Sequence, residues 1–234
     1  MAGVSGLLRK LIAGSNTRKT RLHDELGNRI SLARLARNGP RAGLGSLPAK
    51  LGYRAVRPWI SYDAQAGIAR FLDGKKRVLE FGSGMSTVWY AEHAGEVVSI
   101  EDYRPWFEQV SGIIAARGAD NVRYRFAEAA DYAVLCAAER GGGFDLIMID
   151  GSQREACARL AIELVRPGGM IYLDNSDKAF GPDTGDIPAA RRLLLDFAVR
   201  DCAEVTRFTD FAPTQLFVQE GLMVRRLAKP GGAA

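Results

Sequence analysis

The sequence predicts an α/β chain built around a doubly wound parallel sheet, and three observations carry that expectation. From Arg77 onward short apolar runs alternate with stretches of helical period. The runs are continuously apolar, as in Leu146-Ile147-Met148-Ile149, which suits strands covered by helices on both faces. The first run, Val78 to Phe81, passes straight into Gly82-Ser83-Gly84, a turn of the kind that receives ligands at the carboxyl end of such a sheet.

The elements follow in order. Residues 4–37 read as helical, because Leu7, Leu8, Leu11 and Ile12, then Leu22, Leu26, Ile30 and Leu35, recur among basic residues. Asn38 to Lys50, with Gly39-Pro40, Gly43, Gly45 and Pro48, has the composition of a linker. Pro58-Trp59-Ile60-Ser61-Tyr62 leads into a helix over 63–72. Strand 78–81 then precedes helix 86–93, strand 96–101 precedes helix 105–117, and strand 121–126 precedes a helix near 130–139. Strand 144–149 precedes helix 153–165, and Pro167-Gly168-Gly169 opens strand 169–173. After a helix over 187–199, the stretches 204–210 and 215–225 are joined so briefly that an antiparallel hairpin at the sheet's end is expected. The chain thus divides into a basic helical extension and linker, 1–50, and an α/β domain, 51–234.

At 234 residues, with 47% hydrophobic and 25% charged residues, this is the composition of an ordinary globular chain. The net charge of +5 is unevenly spread: residues 1–57 carry 12 Lys/Arg against Asp24 and Glu25, so the rest of the chain is net acidic. The basic segment is either an amphipathic helix for a membrane or nucleic-acid surface, or a helix lying on the acidic body or a partner subunit. The second is favoured, since aromatic interleaving is absent and no specific nucleic-acid partner is expected. Cys136, Cys157 and Cys202 form neither a C-x-x-C clamp nor an even set, which points to a reducing, cytoplasmic location. No apolar run approaches the ~20 residues of a membrane span, and Met1 to Gly14 lacks the pattern of a signal peptide.

Gly82 and Gly84 carry no Cβ, so a ligand can approach the backbone, and a helix starting near Ser86 directs free N–H groups at it. Thr87 stands where the dinucleotide fingerprint has its third glycine, and Glu80 puts an acid just before the turn. That acid repels a pyrophosphate and suits a cation, such as a sulfonium. Glu101 ends the second strand 19 residues after Gly82, near the spacing at which an acid holds a ribose, with Asp102 beside it as a further contact or a helix cap. Glu128, after the third strand, either meets an adenine or begins the next helix. The fourth strand ends at Asp150-Gly151, and the fifth at Asp174-Asn175.

Taken together, Glu80-Phe81-Gly82-Ser83-Gly84, Glu101, Phe144 to Asp150 and Arg166 to Asn175 resemble the class I methyltransferases dependent on S-adenosylmethionine (SAM). The resemblance covers about 58–226 and implies a seven-stranded sheet whose last strand is antiparallel. It implies that Glu80, Gly82, Ser83 and Gly84, with Ser86 and Thr87, line the methionine part of the cofactor. Glu101 and Asp102 would hold the ribose, and Asp150 with Gly151 would lie beside the sulfonium. The pattern is also similar to the catechol-type O-methyltransferases, in which the positions of Asp150, Asp174 and Asn175 are catalytic and bind a divalent cation such as Mg²⁺. Those enzymes carry a lysine base three positions beyond the strand-four aspartate, where this chain has Gln153. Asp177 and Lys178 are then the candidate bases; His93 and His23 are not placed near the site. A less characterised methyltransferase-like group shares the Pro-Trp entry and the Asp-Asn-Ser-Asp end to strand five. There Trp59, Tyr62 and Trp89 would form an aromatic wall, although core packing is favoured for Trp89 and Trp106.

The expected activity is methyl transfer from SAM to an oxygen of a small molecule or glycan, with 176–188 and 207–214 bordering the acceptor pocket. The alternatives are another transferase or a hydroxylase using a SAM-type ligand on this fold, or a non-catalytic protein that binds cofactor or a membrane surface. Oligomeric state is left open.

Overall fold

The structure, a computed structural model, describes residues 13–50, 56–131, 142–180 and 184–228. Its elements are α1 (Leu32–Lys50), α2 (Tyr62–Phe71), β1 (Arg77–Phe81), α3 (Met85–His93), β2 (Glu96–Glu101), α4 (Arg104–Ala116) and β3 (Val122–Phe126). They continue as β4 (Phe144–Ile149), α5 (Arg154–Leu164), β5 (Val165–Leu173), α6 (Ile187–Arg200), β6 (Glu204–Phe211) and β7 (Val218–Arg225).

The strands form one seven-stranded sheet in the order β3-β2-β1-β4-β5-β7-β6. The first five are parallel, and β7 runs antiparallel to both β5 and β6. Chain order reverses between β1 and β4, so their carboxyl ends diverge into the crevice where open α/β sheets bind ligands. Apolar side chains alternate from β1 and β4 into two cores, as strands covered on both faces require. On one face Val78, Leu146 and Met148 pack with Ala64 and Ile68 of α2 and Tyr90 of α3. On the other, Leu79, Phe81 and Ile147 pack with Cys157 and Ala161 of α5 and Leu194 and Phe197 of α6. The expected helix near 130–139 lies mostly outside the described residues; at its start there is a short 3₁₀ turn, Ala129–Asp131.

The N-terminal region differs from its sequence expectation. Residues 1–12 lie outside the described residues, and residues 13–31 form no helix, only isolated bridges Ala13–Thr20 and His23–Arg29. The helix instead occupies Leu32–Lys50, the stretch whose glycines and prolines read as a linker. Each interior glycine costs a helix about 1 kcal/mol and a proline about 3 kcal/mol, so tertiary contacts must supply the difference. A Cβ on Gly45 would come within 3.3 Å of the Tyr62 hydroxyl, which marks a close approach of α1 to α2. Arg34 and Arg37 meet Asp63 at 2.9 and 2.7 Å, and Asn38 donates to Asp210 at 2.7 Å. Ala42 is buried with Ile30, Phe211 and Val218. Upstream, Arg18 pairs with Glu25 at 3.0 Å and reaches Asp177 at 3.5 Å, and Arg21 offers its carbonyl to Val218 N at 2.8 Å. Much of the basic segment is therefore laid on the acidic body. Among the described residues no helix is long and apolar enough to cross a membrane.

Candidate active site

The site begins where β1 ends. Gly82 has φ +87°, and a Cβ there would lie 2.6 Å from the backbone of Gly151, after β4. A Cβ on Gly151 would in turn lie 2.9 Å from Gly82 N. The two loops touch backbone to backbone, which requires glycine on both sides. Gly84 differs: its backbone is extended, and the atoms nearest a Cβ would be Trp106 and Ser86 side-chain atoms at 3.7 and 3.8 Å. It is the open floor of the crevice.

Thr87 has its own task at the position of the missing third glycine. Its hydroxyl accepts from Gly84 N at 3.1 Å and donates to Glu80 at 2.6 Å, linking the turn to the acid before it. Glu80 is 2% exposed and also accepts from Ser86 at 2.5 Å and from Ser99, its register partner on β2, at 2.7 Å. Burial raises its pKa to about 7, against the pull of the three hydroxyls. Three donors from its own chain turn this carboxylate inward, so it braces the turn and leaves at most one acceptor position for a ligand.

Glu101 closes the other side. One oxygen accepts from Ser83 N and Oγ at 3.0 and 2.7 Å, and the other from Asp102 N and Tyr103 N at 3.2 and 3.0 Å. Ser83 Oγ also meets the Tyr124 hydroxyl at 2.7 Å, and Trp106 Nε1 donates to Ser83 O at 2.8 Å. Asp102 does not cap α4, whose N-cap is Tyr103 without a side-chain bond. Its carboxylate accepts from Ser152 Oγ, tying the β2 loop to the β4 loop across the end of β1. The cleft left over the turn is small, about 90 Å³, lined by Arg57, Trp59, Ser83, Trp106, Asp150 and their neighbours. Sites for small molecules usually exceed ~300 Å³, so a nucleotide needs this cleft to widen, with side chains of its lining such as Trp59 and Trp106 moving apart.

Asp150 and Asp174 end β4 and β5 beside each other, but they do not share an open cation site. Arg154, which the sequence reading passed over, stands between the two loops. Its guanidinium donates to Gly151 O at 2.9 Å, to Asp150 Oδ1 at 3.1 Å and to Asp174 O. Asp174 is buried, and burial together with the charge of Asp150 lifts its pKa well above the usual carboxylate range. Its carboxyl accepts from the Tyr172 hydroxyl at 3.4 Å. Asn175 takes φ +51° and its carbonyl accepts from Lys178 N at 3.0 Å, a turn geometry. A divalent cation needs ionised, unoccupied oxygens. Here the positive charge is already supplied covalently and one of the acids favours its proton, so these residues do not fit the metal. Among the described residues no group of three or more His, Cys, Asp or Glu forms a cation cage.

The structure thus gathers Glu80, Gly82, Ser83, Gly84, Ser86, Thr87, Glu101, Asp102, Asp150 and Gly151 around one turn. It places Asp174 and Asn175 behind the cleft rather than in its lining, and Glu128 is exposed at the start of the 3₁₀ turn. Asp177 is fully buried and accepts from Glu25 N and Glu220 N at 3.0 Å, so it is structural and not a base. Besides Arg154, sequence reasoning missed Arg57 as a cleft residue and placed Trp106 in the core. The i,i+4 spacing of Asp150 and Arg154 was the available signal for the first.

No family model matches the sequence, and no curated protein does. Solved structures do. The chain is similar to cofactor-bound Rv0187 from MTB, at 24% identity and TM-score 0.59 over 97% of each chain. It is similar to an O-methyltransferase from Bacillus cereus in complex with SAH, at 22% identity and TM-score 0.59, covering 84% of this chain and 92% of that one. It is also similar to the O-methyltransferase TomG from Streptomyces achromogenes, involved in tomaymycin synthesis and in complex with SAM, at 21% identity and TM-score 0.55 over 96% of each. At these identities the matches establish the fold alone, a Rossmann-like sheet with antiparallel last strands.

Proposed function

We propose that the chain is a SAM-dependent methyltransferase acting on an oxygen of a small molecule or glycan. The observation that carries this is the turn Gly82-Ser83-Gly84 at the β1/β4 switch point, bracketed by Glu101 from β2. Solved structures of the same fold that are described with SAM or SAH bound support it.

SAM would supply a methyl group on a positively charged sulfur, already activated for in-line transfer. Gly84 gives the ligand its floor, since it lines the cleft without a Cβ of its own, with the Trp106 ring 3.7 Å from where one would stand. Glu101, whose two oxygens already accept from Ser83, Asp102 and Tyr103, would hold ribose hydroxyls in exchange for one or more of these donors. Asp150 is the one acidic side chain in the cleft lining among the described residues, and 43% of it is exposed. It is the group we assign to take the acceptor's proton, with Arg154 holding its direction. The metal-assisted route of the catechol-type enzymes is not carried over, because Arg154 already pairs with Asp150 and burial raises the pKa of Asp174. Among the described residues Cys157 is buried, Cys202 is exposed and neither forms a disulfide, which suits a reducing, cytoplasmic location.

Calorimetric titration with S-adenosylhomocysteine tests the donor, and incubation of metabolite and glycan extracts with a labelled methyl donor tests the transfer. Absence of S-adenosylhomocysteine binding refutes the proposal. Binding without label in any extract leaves a cofactor-binding protein in place of an enzyme.

A further inference from the structure

A second cavity, larger than the cleft over the glycine turn, lies elsewhere. It is a groove of about 730 Å³ between the outer sides of α2 and α3, closed at one end by α1 and by the loop between β6 and β7. Its lining includes Arg41, Arg57, Tyr62, Trp89, His93 and Thr214. The volume falls within the ~300–1,000 Å³ of small-molecule sites.

Three features define what would fit. The described lining carries two guanidinium groups and no acidic side chain. Nearby, Arg34 and Arg37 converge on Asp63, and Arg18 on Glu25 and Asp177. Arg41 and Arg57 have no acidic partner among the described residues, and both are exposed to the groove's solvent. Trp89 and His93 form a flat wall, stacked with ring centroids 4.1 Å apart and 24° between planes. Arg57 also lines the small cleft above Ser83 and Gly84, so the groove and the donor site share a residue.

We propose that this groove is a binding site in its own right, and that it takes a planar small molecule bearing an oxyanion, a carboxylate or a phosphate. The oxyanion pairs with Arg41 and Arg57, whose forked donors match it. The flat part lies against the Trp89–His93 stack, toward the amino end of β1, where His93 O accepts from Gly74 N at 3.0 Å. The anion affinity of the groove does not rest on the methyltransferase reading.

The test is calorimetric titration of the full chain with 3,4-dihydroxybenzoate, phenyl phosphate and uncharged 3,4-dihydroxybenzamide, with S-adenosylhomocysteine titrated separately. The proposal expects one of the two anions to bind and the amide to bind at least tenfold more weakly. Arg41→Ala is expected to weaken the anion about tenfold, the loss of one charge-assisted contact. Ala66→Phe, at an exposed position on the groove side of α2, is expected to block the anion while leaving the melting temperature unchanged. Which anion binds decides between carboxylate and phosphate. Equal binding of anion and amide, no binding of either anion, or full affinity in a folded Arg41→Ala overturns the groove proposal. If S-adenosylhomocysteine fails to bind while the anion binds through Arg41, the groove stands as an anion site and the methyltransferase reading falls.

Discussion

Gly82 and Gly84 are two residues apart in one turn, yet substitution by alanine should act on different properties of the protein. At Gly82 the backbone has φ +87°, which costs an L-residue about 1–2 kcal/mol. The new Cβ would also lie 2.6 Å from the Gly151 backbone, nearly an ångström inside ordinary contact, and backbone cannot rotate away. Overpacking of that kind costs about 1–3 kcal/mol, so Gly82→Ala should lose roughly 2–5 kcal/mol. For a chain of this size that lowers the melting temperature by roughly 5–15 °C. At Gly84 the backbone is extended and a Cβ finds its nearest neighbours at 3.7 Å, so Gly84→Ala should fold with nearly unchanged stability. Its methyl group would stand on the floor of the crevice, where the donor nucleotide must approach, and affinity for S-adenosylhomocysteine should fall at least tenfold. Thermal denaturation and calorimetry on the two variants separate the effects. The reasoning fails if Gly82→Ala melts within about 2 °C of the parent, or if a folded Gly84→Ala binds S-adenosylhomocysteine as tightly as the parent does.

The same geometry gives three further expectations. Glu80, raised from 4.5 to about 7, holds its proton in the folded chain where the unfolded chain has lost it. Folding stability should therefore be greatest below pH ~4.5 and fall by about 3 kcal/mol as pH rises through 7, a component that Glu80→Gln abolishes. Denaturation midpoints taken from pH 5 to 8 check this, and parallel curves for parent and variant refute it. Glu101→Gln keeps the shape but not the charge that orders Ser83, and should weaken S-adenosylhomocysteine about 10–100-fold by titration. Arg154→Ala removes the clasp between the β4 and β5 loops and should cost about 1–3 kcal/mol in denaturation experiments, while treatment of the parent with a chelator should leave melting temperature and methyl transfer unchanged.

Much of this architecture is written locally. Strands covered on both faces must be apolar at consecutive positions, so Leu146 to Ile149 announced β4 without reference to any partner. The turn was equally visible, because Gly82 and Gly151 answer a steric demand that only glycine meets. The helix α1 was hidden for the opposite reason. Its local sequence argues against a helix, and what overrides it are contacts from Asp63 and Asp210, 25 to 172 residues away. Gly221 is silent in the same way: a Cβ there would meet the Tyr172 hydroxyl at 1.7 Å, a constraint that exists only once β7 is laid beside β5.

The acids at the ends of β4 and β5 show how far residue types alone can take a mechanism. Asp150, Asp174 and Asn175 have the oxygens for a hard cation, and a pattern of letters cannot show whether those oxygens are free. Four positions after Asp150, Arg154 reaches the carboxylate of one and the carbonyl of the next, and so delivers a fixed charge to the place where a metal would bring a mobile one. Asp174 is buried beside Asp150, and burial together with that charge raises its pKa well above the usual carboxylate range, which weighs against its serving as an ionised ligand. Neutralising the clasp should therefore free Asp150 for a cation: Arg154→Ala should gain measurable Mn²⁺ affinity that the parent lacks. Equal Mn²⁺ binding in both proteins would show that the guanidinium does not occupy the cation's place.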